Sequence, residues 1–251
     1  RSLAAALEKK YNNVATWWDA PADKLAENGV ELDESDVVVT IGGDGTILRA
    51  AHETSTRGIP LLGINMGRVG FMSEIDACNS LEQVGYYLGG GTRIEERTMV
   101  RSEIVDSDSK PFHALNDIVV GRGQEVRIVD LKVSIRGAYL ETYRADALVI
   151  ATGTGSTGYS LALGGPVMDP LSDSFLLKPV ASHMSLQGGL ILPRDAVVEI
   201  TLESSQEAVI SADGFLHASL VEGQMVRTQV SCYRTRFLRR NSPNTFYSSL
   251  T

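Results

Sequence analysis

The sequence predicts an α/β N-terminal domain built on a parallel sheet, followed by a β-rich C-terminal domain. Two observations carry this. From residue 1 to about 96, apolar runs alternate with helical stretches, the pattern of parallel strands joined by helical crossovers. After Arg97 the period shifts to two, as in Leu131-Lys132-Val133-Ser134-Ile135-Arg136 before Gly137 and in Val198-Glu199-Ile200-Thr201-Leu202-Glu203. Such alternation marks antiparallel or mixed strands covered on one face.

Taken in order, Leu3 to Tyr11 reads as a helix. An α/β unit ordinarily opens on a strand, so one is expected upstream of it. Val37-Val38-Val39-Thr40-Ile41 is a buried strand, residues 46–55 hold good helix formers, and Ile59 to Ile64 is the next strand. A helix is expected over 80–89, with Ser80-Leu81-Glu82-Gln83 matching a capping box and Gly89-Gly90-Gly91 ending it. The expected domains are 1–96 and 97–235, with a tail over 236–251 that returns to the N-terminal domain. No repeat or low-complexity linker separates the two domains, so they are expected to share a cleft that holds the active site.

Composition excludes several classes. The 251 residues carry a net charge of −8, which argues against a general nucleic-acid surface, since phosphate neutralisation needs clustered Lys and Arg. The one basic cluster, Arg234, Arg236, Arg239 and Arg240, fits a solvated face or an anion site at a subunit contact. Two distant cysteines, Cys78 and Cys232, make a disulfide framework improbable, and the four histidines show no metal-ligand spacing. No apolar run approaches the roughly 20 residues of a membrane helix, and no signal peptide is visible, so a cytoplasmic protein is expected.

The chemistry is concentrated in glycine-bearing loops. Gly42-Gly43-Asp44-Gly45-Thr46 follows the first buried strand and leads into a helix, so its backbone can approach a phosphate with a carboxylate at the mouth. The plain alternative is a tight turn capped by Asp44. Gly63-Ile64-Asn65-Met66-Gly67-Arg68-Val69-Gly70-Phe71 should leave the same carboxyl edge, where open α/β sheets bind ligands. Asn116-Asp117 opens an apolar strand, and the two side chains can face one ligand only from a bulge or turn, although a simple Asx turn also fits. Arg144-Ala145-Asp146 precedes the strand Ala147 to Ile150, which runs into Thr152-Gly153-Thr154-Gly155-Ser156-Thr157-Gly158-Tyr159-Ser160 and then Gly164-Gly165-Pro166. This segment offers backbone donors, hydroxyls and a flat aromatic face.

On these motifs the chain resembles the NAD kinases, over nearly its whole length and in the family's order. The resemblance implies phosphoryl transfer from ATP or polyphosphate, with Mg²⁺ or another divalent cation, to the adenosine ribose 2′-hydroxyl of NAD. It implies Asp44 as the general base with Gly43 and Gly45 beside it. It further implies NAD contacts from Asn116, Asp117, Thr154, Thr157, Gly158, Tyr159, Ser160 and Ala162. Arg144 and Asp146 match a family Arg-x-Asp that reaches across a subunit contact, and Ala181 falls at another NAD-contacting backbone, in a homodimer or homotetramer. Asp213-Gly214 resembles a further turn near the ligand. Arg49 or Arg68 is expected to help screen phosphate charge. The chain departs from the family in having Asp117 for Glu, Gly158 for Ala and Gly153 for Pro, which shortens one side chain by a methylene and is expected to loosen the loop. A lipid or sugar kinase sharing the Gly-Gly-Asp-Gly junction, and a non-catalytic NAD-binding module, are the competing readings. No nucleic acid, membrane or protein-bound metal is expected.

Overall fold

The computed structural model describes residue 9 and residues 32–67, 70–123, 127–182 and 188–250. Of the expected helix Leu3 to Tyr11 only residue 9 is described, and Arg68 lies outside the described residues. The chain divides into two compact units, one holding Arg1–Glu96 and Arg234–Thr251, the other Arg97–Tyr233.

In the first unit, β1 (Val38–Ile41) runs parallel to β2 (Leu61–Asn65), with Val38 opposite Leu61 and Ile41 opposite Ile64. The crossover between them is α1 (Asp44–Ser55), whose Ile47, Leu48, Ala50 and Ala51 are buried. β2 is buried at every position, as its unbroken apolar run requires, and also pairs in parallel with β3 (Ile75–Asp76). α2 (Ser80–Leu88) closes this core through Val84 and Tyr87, which pack with Leu62, Ile64, Ile75 and Leu238. The capping box does not form. Asp76 instead caps a single 3₁₀ turn, Ala77–Asn79, by accepting from the Cys78 amide at 2.9 Å, so Ser80 is already inside the helix and its hydroxyl donates to the Ala77 carbonyl.

The second unit is antiparallel. One sheet runs in the order β11 (Leu190–Leu192), β10 (Phe175–Val180), β9 (Ala147–Thr152), β6 (Asp117–Arg122), β13 (Ala208–Ala212), β14 (Phe215–Leu220). Facing it are β7 (Val129–Ile135), β8 (Ala138–Ala145), β12 (Val197–Leu202) and the first part of β15 (Met225–Arg239), with β4 (Arg93–Ile104) and β5 (Phe112–Ala114). Side chains of both sheets form one core, including Ile118, Leu131, Val133, Ile150, Phe175, Val198, Ile200 and Ile210. Alternation at β7 and β12 is visible as Leu131, Val133, Val198 and Ile200 buried and Lys132 exposed. Arg136-Gly137, both left-handed, makes the hairpin between β7 and β8. The last part of β15 belongs to the first unit, where Phe237 lies opposite Leu61.

No helix among the described residues is long and apolar enough to cross a membrane.

Candidate active site

Asp44 is the first residue of α1, after a Gly43 N-cap that has no side chain to offer. Negative charge is favoured there by the helix dipole. Carbons placed on Gly43 or Gly45 would meet nothing, so both backbones face open space beside the carboxylate. Asp44 Oδ2 accepts from the Phe71 amide at 3.3 Å. Oδ1 is buried and has no hydrogen-bond partner. Burial pushes the Asp44 carboxyl above its ordinary range, opposed by the Met72 and Phe71 amides and by the Arg239 charge. A Cβ on Gly70 would lie 2.6 Å from the Asp44 carboxyl carbon, so a side chain there would push the carboxylate from this position.

The loop that supplies Phe71 is tied down from behind. Arg239, buried on β15, donates to the Ser73 carbonyl at 3.1 Å and pairs with Glu74 at 3.0 Å and Glu95 at 3.3 Å. Glu74 also accepts from Tyr87 and from the Arg240 and Asn241 amides, and Glu95 pairs with Arg93 at 2.7 Å. Arg236 pairs with Glu96 and donates to the Gly58 carbonyl, and Arg240 stacks on Tyr86. The sequence suggests a solvated face or an anion site at a subunit contact for this basic cluster; Arg239 instead belongs to a buried ion network, while Arg236 pairs at the surface. Phe246 packs against Phe71 with ring centroids 6.0 Å apart. Arg49 is exposed on α1.

In the second unit, Asn116 and Asp117 lie where a bend enters β6, and both line one cavity of about 350 Å³ with Val119, Tyr159, Ser211, Asp213 and Gly214. Asn116 reaches this space from the bend and Asp117 from the first position of β6. Asp117 is buried, and burial first, then the Asp213 charge, pushes its carboxyl up to about 7. Asn116 Oδ1 is buried without a hydrogen-bond partner. Tyr159 is 47% exposed at the start of α3 (Tyr159–Ala162).

The glycine-rich segment is packed more closely than composition suggests. A Cβ on Gly155 would run into the Asn116 backbone, 2.7 Å from its Cα, and one on Gly153 would collide with the Asp169 carbonyl. Gly153 therefore marks a close approach, where a loosened loop was expected. Gly158 is exposed and open enough for a methyl group, 3.4 Å from the nearest atom. Thr154, Thr157 and Ser160 turn toward the protein: Thr154 accepts from Arg97 at 3.4 Å, Thr157 donates to the Thr154 carbonyl at 3.1 Å, and Ser160 is fully buried. Ala162 is exposed.

Arg144, Asp146 and Ala181 gather elsewhere. The Asp146 amide donates to the Val180 carbonyl at 3.0 Å, its carboxylate lies 3.6 Å from Arg122, and Ala181 follows with φ of 51°. These residues sit at the start of β9, whereas Asn116, Asp117 and Thr154 sit at its end, roughly 20 Å along the strand. One copy of the chain does not bring the two groups together.

Two family models match the chain: the ATP-NAD kinase N-terminal domain over residues 2–88 and the ATP-NAD kinase C-terminal domain over residues 115–240. The chain belongs to the NAD kinase family. Similar relatives include an NAD kinase of Dehalococcoides mccartyi, 38% identical over 258 residues, covering 99% of this chain and 89% of that protein. An NAD kinase of Chloroflexus aggregans is 37% identical over 222 residues, 86% of this chain and 79% of the relative. Among solved structures, yeast NADH kinase complexed with NADH matches with a TM-score of 0.79 and 28% identity. That match covers 86% of this chain but 64% of the yeast chain, just under two thirds of its length. An Archaeoglobus fulgidus NAD kinase in complex with ATP shares the fold with a TM-score of 0.80 at 24% identity, over 99% of this chain and 93% of that one.

The sequence places the Asp213-Gly214 turn near the ligand without assigning it a contact, and it gives no sign of Val119 or Ser211. Ser211, Asp213 and Gly214 line the same cavity as Asn116 and Asp117. The available signal was Asp-Gly between two short apolar runs, a hairpin mark.

Proposed function

We propose that this chain, as an NAD kinase, transfers the terminal phosphoryl group of ATP, or of polyphosphate, to the adenosine ribose 2′-hydroxyl of NAD, with Asp44 as general base. The observation that carries the reading is the unpartnered Oδ1 of Asp44, buried beside two open glycine backbones at a helix start. A hydroxyl that donates to Oδ1 gains nucleophilicity as its oxygen attacks phosphorus: the proton passes to the carboxylate, the new O–P bond forms, and the bond from that phosphorus to the donor's bridging oxygen breaks, releasing ADP or the shortened polyphosphate. Burial makes Asp44 a stronger base than a solvated aspartate, while the Phe71 amide fixes its orientation through Oδ2. The amides near Gly43 and Gly45 face the developing phosphate charge.

Asn116, Asp117 and Tyr159 are assigned to NAD, as side chains of one cavity. Gly158 and Ala162 are assigned to it as exposed backbone, and Thr154, Thr157 and Ser160 as the framework that holds that backbone. Arg144, Asp146 and Ala181 serve the site of a second copy in a homodimer or homotetramer, since they stand at the far end of β9. The described residues contain no group of three or more His, Cys, Asp or Glu side chains placed to hold a metal. Mg²⁺ therefore fits as an ion carried on the donor phosphates, where it neutralises their charge. The setting proposed is the cytoplasm.

The test is to incubate the full chain with NAD, Mg²⁺ and ATP, and to read NADP with an NADP-specific dehydrogenase. NADP is the expected product. No NADP from ATP or polyphosphate, with NAD still bound, would replace catalysis by nucleotide sensing; phosphorylation of a lipid or sugar acceptor instead would move the chain to another kinase class.

A further inference from the structure

Asp213 occupies the first of two left-handed positions in the hairpin between β13 and β14, with φ of 51°, followed by Gly214 at 81°. Asp-Gly adopts this conformation at little cost. Its carboxylate reaches out of the hairpin to three consecutive amides of another element. Oδ1 accepts from Asn116 at 2.6 Å and Asp117 at 3.1 Å, and Oδ2 accepts from Leu115 at 2.8 Å. Hydrogen bonds to an ionised acceptor are the strong kind, and three amides around one carboxylate fix a backbone segment from its donor side.

The acceptor side of the same segment is held as well. The Thr152 hydroxyl donates to the Leu115 carbonyl, the Thr152 amide to the Asn116 carbonyl at 2.9 Å, and the Asp213 amide to the Asp117 carbonyl at 2.9 Å. Gly155 presses directly on the Asn116 backbone. A regular strand through these residues would send the Asn116 and Asp117 side chains to opposite faces. Asp213 fastens the bend just before β6, and both Asn116 and Asp117 line the cavity beside it.

We propose that Asp213 is a positioning residue for NAD, whose carboxylate holds residues 115–117 in the bend that presents Asn116 and Asp117 to the same ligand. This rests on the reading of that cavity as an NAD contact. Asp213 acts through the backbone, not on the reacting atoms, so it governs how well NAD is held and not how fast phosphate moves.

The decisive variant is Asp213→Asn, which keeps the size and the tolerance for left-handed backbone but turns an amide NH₂ toward amide donors. The expected result is a KM for NAD raised about tenfold or more, with kcat within about threefold. The second readout is amide hydrogen exchange at Leu115, Asn116 and Asp117, slow in the wild type and faster in the variant, while Val119 and Val120 on β6 keep their protection. A general loss of folding would lower the active fraction and leave KM in place. An active wild type with an unmoved KM in the variant overturns the role of Asp213 alone. A wild type that makes no NADP overturns the reading of the cavity and the NAD role with it. Should the variant fail to fold, wild-type exchange decides: amides at 115–117 exchanging at solvent-like rates overturn the clamp, and protection equal to that of Val119 supports it.

Discussion

Asp44 has two oxygens in two different situations, and the difference defines its chemistry. Oδ2 is held by the Phe71 amide at 3.3 Å, while Oδ1 is buried and unbonded. The space that keeps Oδ1 available is made by Gly70. Gly70→Ala should therefore displace the carboxylate and lower kcat by roughly 10- to 100-fold, an effect of misplaced geometry that steady-state NADP formation will read. A kcat unchanged in that variant would mean that the loop carrying Gly70 yields at no cost. Asp117 makes a separate prediction about pH. Its folded carboxyl keeps its proton up to about 7, whereas the unfolded chain releases it near 3.9, so between these values the folded state binds more protons. Its contribution to stability is then lost as pH rises from about 4 to about 7, by at most roughly 1.4 kcal/mol per pH unit. Asp117→Asn should gain stability relative to wild type at pH 8 over pH 5 in urea unfolding; parallel curves would contradict the burial of an ionisable group there.

At the scale of elements, the candidate site residues sit on loops whose backs are fastened by distant parts of the chain. Arg239 on β15 binds the Ser73 carbonyl and is paired with Glu74 and Glu95, all three side chains buried. Arg239→Met should cost about 3–5 kcal/mol in urea unfolding, because two carboxylates lose their shared cation inside the protein. A loss under 1 kcal/mol would show that the network relaxes into solvent. This fastening was not legible in the sequence, where Arg239 stands more than 140 residues from either glutamate and reads as part of a basic surface run. The glycine junction at 42–45 was legible because strand, glycine, carboxylate and helix follow one another locally. The bend at Asn116-Asp117 was legible only as a requirement, since its cause, Asp213, lies almost a hundred residues away and acts on backbone amides. The capping box at Ser80 misled because Asp76 caps an earlier turn and the helix continues from it. Local motifs thus announced the chemistry, and long-range polar contacts, invisible to spacing rules, hold it in place.

For the whole molecule, the two ends of β9 pose the main question of assembly. Arg144, Asp146 and Ala181 gather at one end and Asn116, Asp117 and Tyr159 at the other, so both groups serve one NAD only if two copies associate. Mixing inactive Asp44→Asn chains with inactive Asp146→Asn chains should then restore up to about a quarter of wild-type activity, because one of the two sites in each mixed dimer receives both intact residues. No recovery after exchange of subunits would confine the site to a single copy. The claim on which the rest depends is that Asp44 moves a proton in the transition state. The most direct measurement is the steady-state kinetics of Asp44→Asn beside wild type, with ATP and NAD varied and NADP read by a coupled dehydrogenase. The prediction is a kcat lowered by about 10²- to 10⁴-fold with the KM for NAD within about threefold. A kcat near wild type, or a loss confined to KM, would contradict Asp44 as the base.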